Sequence, residues 1–590
     1  MATRPNRHQP RLVAEEFHLN RRTVFWLAVA LAAFLGTFVL PFFFPLKVPV
    51  FSPVYTAGGN NRVGAIALAC VGVLATLLCW RFRYFAEPVP QQAGEDRQPA
   101  RRWMWAAMAV VTLYAAGLGV MMVRSGMYYA DAGYFLTQLR SGLIFHKTLY
   151  RDVEFAYGPL MYYWPACFLR VLGLAHVSAT AAYVVSLCVM EAVGTAMLFY
   201  TVCAMPMRRN MKIAAFLLLA IVTLDPQEGL NYTAFRFVCS IATLVLLTRQ
   251  RRVASAGLVA AAGALFNFAV SPEMGVAFVA AACVYGGYRA LVGGARWLVP
   301  AVAAVAGSGL FAMLVGADYF RTLKEFANGG YNMLLEPAPH IYLLLFCAVG
   351  LAPAVVAAAL AGRHEDGVPA AGTGLLLGVY IAGLALLPAA LGRCDPLHVS
   401  YNGWPIFLLS FVALDRMRLP ARRIGLAVAL LFCTYSVMQE YALGSGPISK
   451  MVLQRPDPYE DVDLSRLQQA LGGRRVSFPW YTPLRASNAL TAAGEYQPLY
   501  LCILAVDAHA EQRTIDDVRQ GDFLLAPNFT KRASQNAINN VGMKYRLRFG
   551  YRYKQRHEPY LQGALLVREL EANWRDVGTF GSYELYHKER

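Results

Sequence analysis

Charged residues are scarce in this chain of 590 residues, where Lys, Arg, Asp and Glu together make up only 15%. Soluble domains usually carry about a quarter. Hydrophobic residues make up 57% of the chain, which excludes a disordered protein and argues against an ordinary soluble enzyme. Many apolar runs approach the length that crosses a bilayer. The composition therefore predicts a polytopic, mainly α-helical membrane protein.

Several motifs that would indicate other chemistry are absent. The sequence contains no GxxxxGK[ST] phosphate loop, no HExxH, no CxxCH and no GxSxG, so nucleotide hydrolysis, metalloprotease, c-type haem and elbow-type hydrolase functions have no support. The 11 cysteines form no CxxC pair, and most lie in apolar runs, as Cys70, Cys188 and Cys283 do. They are typical of small core residues, and neither a zinc site nor a disulfide framework is predicted.

The net charge of +18 would suggest nucleic-acid binding in a soluble protein. Here the Lys and Arg residues are concentrated in alternate short connections between apolar runs, which is the distribution that marks cytoplasmic loops. We therefore expect no nucleic-acid partner. The charge bias predicts an integral protein of the inner or plasma membrane, with a cytoplasmic N-terminus and a C-terminal domain on the outer, periplasmic side.

The apolar runs predict about 13 membrane spans. Two neighbouring runs, 213–224 and 237–247, are short, and a re-entrant pair is the alternative to two full crossings. The remaining runs are 23–45, 63–80, 103–123, 180–205, 253–270, 275–291, 297–315, 341–360, 373–391, a short one at 404–414, and 424–442.

Three regions follow from this pattern. Residues 1–22 form a cytoplasmic segment, 23–443 a transmembrane domain with outer loops, and 444–590 a small extramembrane α/β domain. Beyond 444 the sequence is polar, and short apolar runs alternate with helix-like stretches such as 514–520, which is typical of an α/β fold. The runs interpreted as strands are 476–478, 500–504, 523–525, 545–553 and 565–567.

The polar groups suited to chemistry lie in connections that are predicted to be outer. Asp131 follows an apolar run and begins an amphipathic helical pattern, and Asp152 and Glu154 follow that helix. A capping role for Asp131 is the alternative to a functional one, and a membrane-interface belt is the alternative for the aromatic cluster at 161–165. The predicted outer connections are 127–165, 225–236, 271–273, 317–340 and 392–402.

Four further residues are candidates for the same site. Glu273 lies between two apolar runs with almost no loop, a costly position for a carboxylate unless it faces a polar cavity or the head groups. Arg236 and Arg393 are suited to bidentate phosphate contact at the membrane surface, although Arg393 could instead pair with Asp395 or extend to the interface. His398 is either a phosphate ligand or a hydrogen-bonded structural residue.

The segment SGLIFHKTLYRDVEFAYGPLMYYWP at 141–165, with Asp131 just before it after an early span, resembles the first outer loop of GT-C-fold glycosyltransferases. These are multispan enzymes that use polyprenyl-phosphate-linked sugars. The resemblance implies that Asp131 is the general base that deprotonates an acceptor hydroxyl during inverting attack on the anomeric carbon. Many such enzymes have a second acid beside this position, whereas this chain has Ala130 and Ala132, so a requirement for a divalent cation is left open.

The resemblance implies roles for the other candidates as well. A second acid, or a ligand of the acceptor, would be supplied by Asp152, Glu154 or Glu273. The donor phosphate would be bound by residues from a second group, which consists of Arg393, His398 and Arg236.

The expected function is therefore transfer of a sugar from a polyprenyl-phosphate donor to a glycan, lipid or protein acceptor at the outer face. The C-terminal domain would bind the acceptor or complete the cleft. Three alternatives remain: a lipid-linked glycan flippase or transporter, a non-catalytic glycan-assembly subunit, and an outer-face polymerase or ligase that uses a polyprenyl diphosphate glycan.

Overall fold

The chain is described by a computed structural model, and the structural statements below concern only part of its residues. The described residues are 20–45, 59–84, 102–103, 105–114, 116–117, 130–153, 155–223, 229–327, 332, 335–362, 372–442, 462–478, 486, 489–490, 496–498, 508–527 and 564–589.

Helices dominate the described residues. In chain order they are α1 (Arg21–Phe34), α2 (Asn61–Phe82), α3 (Ala130–Leu143), α4 (Pro159–Gly173), α5 (Ala179–Ala204), α6 (Arg209–Thr223), α7 (Ala234–Thr248), α8 (Val253–Val270), α9 (Pro272–Gly293), α10 (Val299–Phe326), α11 (Pro339–Phe346), α12 (Ala352–Ala361), α13 (Thr373–Arg393), α14 (Pro396–Arg416), α15 (Leu419–Ala442), α16 (Leu464–Leu471), α17 (Ala508–Val518) and α18 (Ala564–Asn573). Two π-helical turns, Leu35–Val39 and Cys347–Leu351, extend α1 and join α11 to α12.

Nine helices within the described residues are long and apolar enough to cross a membrane, so the prediction of a mainly helical, polytopic membrane protein is confirmed. The predicted number of about 13 spans is not confirmed. The run 103–123 contributes a short apolar helix, Trp105–Tyr114. The prediction of a short span at 404–414 is wrong, because α14 continues through the polar residues before that run and forms a span of 21 residues.

The two short apolar runs form α6 and α7, which have 15 residues each. This corresponds to about 22 Å, less than the roughly 30 Å of a bilayer core. The first turn of α7 lies against the middle of α5, where Glu191 accepts a hydrogen bond from the Ala234 N–H at 3.1 Å. A Cβ added to Gly194 would lie 2.0 Å from the backbone nitrogen of Phe235. Glycine at 194 therefore permits the close approach, and Glu191 caps a recessed helix.

Polar contacts mark the two ends of the helix bundle. At one end, Arg208 Nε donates to Asp415 Oδ1 at 2.9 Å, which joins the start of α6 to the end of α14. At the other end, Asn61 Nδ2 donates to the carbonyl of Leu391 at 2.6 Å and to that of Gly392 at 3.0 Å, which joins α2 to α13. We call these ends the Arg208 face and the Asn61 face. The Arg208 face contains connections that the charge bias predicts to be inner. The Asn61 face contains connections that it predicts to be outer.

The C-terminal region contains a five-stranded sheet with helices on both faces. Phe523 and Leu525 pack with α16 in one apolar cluster, and Leu524 and Ala526 pack with α17 and α18 in another, as the period of two along a strand requires. The strands are β1 (Val476–Phe478), β2 (Tyr496–Pro498), β3 (Phe523–Pro527), β4 (Trp574–Phe580) and β5 (Tyr583–Lys588), in the order β2-β1-β3-β5-β4.

The sheet is mixed, because β1 pairs parallel with β2 and β3, whereas β5 pairs antiparallel with β3 and β4. The α/β class predicted for this region is confirmed. The run 565–567 lies in α18 and is not a strand, since short apolar runs do not distinguish a strand from a buried helix. The runs 500–504 and 545–553 lie outside the described residues.

Candidate functional site

The proposed base, Asp131, lies in the first turn of α3, and its side chain is outside the described part of the structure. Phe135, one helical turn later, is fully buried. Its ring stacks on that of Tyr157, with 5.7 Å between the ring centroids and an interplanar angle of 16°. This contact packs α3 against Tyr157 one helical turn beyond Asp131.

The loop between α3 and α4 is shaped by internal hydrogen bonds. Asp152 Oδ2 accepts from the backbone N–H of Thr148 at 2.9 Å, and 42% of its side chain is exposed. Asp152 therefore closes a turn, and its role as a second acid, expected from the resemblance, stays a prediction. Glu154 lies outside the described residues.

Tyr150 connects this loop to α10. It has a left-handed φ of 66°, donates its hydroxyl to the Tyr157 carbonyl at 2.7 Å, and contacts the ring of Tyr319 edge-on at 5.0 Å between centroids. Burial raises the pKa of Tyr150 well above its usual range, so this phenol stays protonated and keeps the hydroxyl as a donor.

Tyr157 is held in place by the glycine that follows it. The N–H of Gly158 donates to the Val270 carbonyl at 3.1 Å, and a Cβ at position 158 would lie 2.3 Å from the Ala269 carbonyl oxygen. The loop backbone therefore lies directly against the end of α8. Because α9 begins just beyond this point, Tyr157 is placed beside Glu273 in the first turn of α9.

Two residues that the sequence placed in different roles form an ion pair. Arg236, a candidate phosphate ligand, pairs through Nη2 with Glu273, a candidate second acid. The other guanidinium nitrogen, Nη1, donates to the Asn231 carbonyl at 2.7 Å. The guanidinium carbon lies 4.7 Å from the centroid of the Tyr157 ring, and Asn231 Nδ2 donates to the Tyr157 hydroxyl at 2.9 Å. We call these four residues, Tyr157, Asn231, Arg236 and Glu273, the core cluster.

The two charges of the core cluster differ in accessibility. The side chain of Arg236 is 10% exposed and that of Glu273 is 26% exposed. A buried charge is costly unless it is paired and hydrogen-bonded, and Arg236 satisfies this through Glu273 and Asn231. The carboxylate is therefore the more accessible group, whereas the guanidinium is committed to holding the cluster together.

A second polar group lies at the start of α14. Asp395 accepts from the backbone N–H of His398 at 2.8 Å and contacts His398 Nδ1 at 2.9 Å, and Arg393 Nε lies 3.2 Å from the same carboxylate. Burial by itself would raise the pKa of Asp395. The charge of His398, the hydrogen bonds from His398 and the positive charge of Arg393 outweigh this effect and lower the pKa to about 2. The pairing of Arg393 with Asp395, one of the alternatives from sequence, is present.

Tyr232 connects the two groups. Its hydroxyl lies 3.4 Å from His398 Nε2, and it directly follows Asn231 in the segment Leu230–Tyr232. All five predicted outer connections contribute to this region, since Tyr319 contacts Tyr150. Convergence of the outer connections at the Asn61 face is what the charge pattern led us to expect.

Sequence reasoning missed three residues of the site. Tyr157, Asn231 and Tyr232 lie in segments that it singled out, but it assigned none of them a role. Two signals in the sequence could have identified them: Tyr157 precedes Gly158-Pro159, and the polar pair Asn231 and Tyr232 lies just ahead of an apolar run. Both signals occur in connections that already carried candidate charges.

The described residues do not assemble a metal site. No group of three or more His, Cys, Asp or Glu residues in the described part of the chain could hold a metal ion. Of the acids described here, Asp152 is engaged by Thr148 and Glu273 by Arg236.

Neither a family model nor a curated protein matches this chain. Among solved structures, it is similar to the crystal structure of ArnT from Cupriavidus metallidurans bound to undecaprenyl phosphate, with 11% identity, a TM-score of 0.47, and coverage of 83% of this chain and 98% of that one. It is also similar to archaeal oligosaccharyltransferase AglB from Archaeoglobus fulgidus in complex with an inhibitory peptide and a dolichol-phosphate (10%, TM-score 0.40, 83% and 74%).

A third similar structure is that of arabinosyltransferase EmbB from Mycobacterium smegmatis, with 14% identity, a TM-score of 0.36, and coverage of 79% of this chain and 48% of that one. At these identities and TM-scores the likeness assigns no activity to this chain.

Proposed function

We propose that this protein is a membrane glycosyltransferase that moves a sugar from a polyprenyl-phosphate donor to a glycan, lipid or protein acceptor at the Asn61 face, which we assign to the outer side of the membrane. The observation that carries the proposal is that the core cluster and the second polar group, formed by Arg393, Asp395 and His398, converge beside α3, the helix that bears Asp131. A recessed set of acidic, basic and aromatic groups at the end of a membrane bundle suits a substrate with a lipid tail and a polar head.

In the proposed reaction, Asp131 removes the proton from an acceptor hydroxyl as the oxygen attacks the anomeric carbon. The new glycosidic bond forms on one side of the anomeric carbon while the bond from that carbon to the phosphate oxygen breaks on the opposite side. The phosphate leaves with the electron pair of the broken bond. The configuration at the anomeric carbon is therefore inverted.

The leaving phosphate requires positive charge near its oxygens. We assign this role to Arg393 and His398, because both are partly exposed and lie at the start of α14. Arginine presents paired N–H donors to phosphate oxygens. Arg236 is assigned a positioning role, since its guanidinium is taken up by Glu273 and the Asn231 carbonyl. Glu273 is the acid that we expect to contact a sugar or acceptor hydroxyl.

The proposal is tested in a strain that lacks the protein, by mass spectrometry of its glycans and lipid-linked sugars. We expect one sugar to be missing and its lipid-linked donor to accumulate, and the wild-type chain to reverse both changes. Asp131→Asn should fail to do so, with transfer reduced about 10²- to 10⁴-fold, as for removal of a general base.

The matched control is Asp318→Asn, which changes an exposed acid that pairs with Arg321 on α10. It should restore the sugar like the wild type. An Asp131→Asn protein that reaches the membrane in normal amount and restores full transfer would refute the catalytic assignment. Binding of the donor by the wild-type chain without transfer would favour a non-catalytic assembly subunit.

A further inference from the structure

A cavity of about 560 Å³ lies between α1 and the continuous helix formed by α11 and α12. Small and aliphatic residues line most of its length. Ala30 and Ala33 lie on the α1 side, and Gly350 and Ala354 lie opposite them. Because these side chains are small, the two helices leave a groove along their contact, one that a hydrocarbon chain could fill.

One end of the groove is charged. Arg22, at the start of α1, and Arg416, at the end of α14, both line it, together with Tyr84 just beyond α2. All three residues belong to the Arg208 face. Among the residues that the structure describes, neither guanidinium has an ion-pair partner. The neighbouring acid, Asp415, is already bonded to Arg208 through both Nε and the backbone N–H, at 2.9 and 2.7 Å.

The groove is long and its charges are at one end only. Its lining extends along the α11–α12 helix from Tyr342 to Ala358, a separation of 16 residues or about 24 Å of helix. This covers most of the roughly 30 Å thickness of a bilayer core. An apolar channel of this length that ends at two arginines is complementary to an amphiphile with a long chain and an anionic head.

We propose that this groove binds an anionic phospholipid from the leaflet on the Arg208 face. One acyl chain lies along Ala33 and Gly350, and the lipid phosphate contacts Arg22 and Arg416. Arginine pairs its N–H donors with phosphate oxygens. A zwitterionic head group brings its own cation next to the arginines and is disfavoured. The proposal is independent of the glycosyltransferase function, since the two arginines of the groove and the core cluster lie at opposite faces of the bundle.

The test uses the full-length chain in detergent and native mass spectrometry, with phosphatidylglycerol or phosphatidylcholine of identical acyl chains as the probe. We expect the wild-type protein to retain one phosphatidylglycerol in preference to phosphatidylcholine. Each arginine near an anionic lipid head group contributes a factor of about five in binding. Arg22→Gln alone should therefore weaken phosphatidylglycerol binding about fivefold, and Arg22→Gln with Arg416→Gln by about 25-fold.

The matched control is Arg296→Gln, which removes an exposed charge beyond α9 at the same face and outside the groove. It should leave binding unchanged. Ala354→Phe fills the groove while both arginines remain, and it should abolish binding of phosphatidylglycerol but not folding. Glycerol phosphate, which lacks acyl chains, should not compete. Equal retention of the two lipids, or equal losses in Arg22→Gln and Arg296→Gln, would overturn the proposal.

Discussion

The guanidinium of Arg236 lies over the ring of Tyr157, with 4.7 Å between the guanidinium carbon and the ring centroid. The two residues are 79 positions apart in the chain and belong to two different connections. Their contact joins the loop after α3 to the first turn of α7, and Glu273 adds the first turn of α9. The core cluster is therefore an interface between three chain segments, and the stability of each segment depends on the others.

Removal of one partner of the Arg236–Glu273 pair should be more damaging than removal of both. Arg236→Met leaves a mostly buried carboxylate without its partner, and we expect a loss of about 3 kcal/mol in the free energy of unfolding. The double variant Arg236→Met with Glu273→Gln should lose less free energy of unfolding than Arg236→Met alone. A double-mutant cycle on the purified protein measures this coupling.

The control cycle uses the pair Asp318–Arg321, whose side chains are 44% and 47% exposed. Exposed pairs contribute little, so its coupling should be no more than about 0.5 kcal/mol. An Arg236–Glu273 coupling as small as that of the control would contradict the assignment of Arg236 as a positioning residue.

Gly158→Ala should strongly destabilise the site. Its Cβ would lie 2.3 Å from the Ala269 carbonyl oxygen, and backbone cannot move aside as a flexible side chain can. We expect a loss of about 3 kcal/mol or more, measured as a lower thermal unfolding midpoint. Gly173→Ala, at the end of the same helix α4, has no atom within 4 Å of its new Cβ. That variant should be neutral or slightly stabilising, and similar losses in both would show that the close contact is not what matters.

The Asp395 carboxylate should stabilise the protein at neutral pH and lose that effect in acid. Its pKa is about 2 in the folded chain against 3.8 for the unperturbed group. A lowered folded-state pKa contributes stability above about pH 3.8, and this contribution is lost as the pH falls towards 2. The contribution of the carboxylate to the free energy of unfolding is about 2 kcal/mol. Asp395→Asn should therefore be less stable than the wild type at pH 7, measured by unfolding in detergent.

The difference between Asp395→Asn and the wild type should shrink steadily as the pH is lowered from 4 to 2. Asp318→Asn, which changes an acid that is 44% exposed, should show a much smaller difference at pH 7. A deficit in Asp395→Asn that stays constant down to pH 2 would mean that the charge of Asp395 is not the stabilising feature.

The ion pair between Lys147 Nζ and Asp517 Oδ2, at 3.1 Å, joins the loop after α3 to α17 of the C-terminal domain. The side chains are 18% and 38% exposed, so we expect a modest coupling of about 0.5 to 1 kcal/mol that weakens in high salt. Lys147→Glu should increase the rate at which a protease releases the C-terminal domain, and adding Asp517→Lys should reverse this. Failure of the reversed pair to restore protection would contradict the contact.

Much of the candidate site could be predicted because charges within apolar sequence are conspicuous. Glu273 and Arg236 were singled out for this reason, and both lie in the core cluster. Their pairing could not be predicted, since nothing near either residue in the chain identifies the other as its partner. For Asp152 the resemblance implied a second acid or an acceptor ligand, which stays a prediction, and the structure adds a turn closed by its carboxylate. A hydrogen bond between a side chain and a backbone N–H four positions away, as between Asp152 and Thr148, leaves no recognisable pattern in the sequence.

The sequence by itself determined that this is a helical membrane protein with its polar groups gathered at one side, because span length, hydropathy and charge bias are local properties that the bilayer selects directly. Only the tertiary structure decided which polar groups meet. Contacts between these groups depend on how closely two helices approach, as α7 approaches α5 at Gly194, and on where the short helices end. Such distances arise from packing between segments far apart in the chain, which no local pattern encodes.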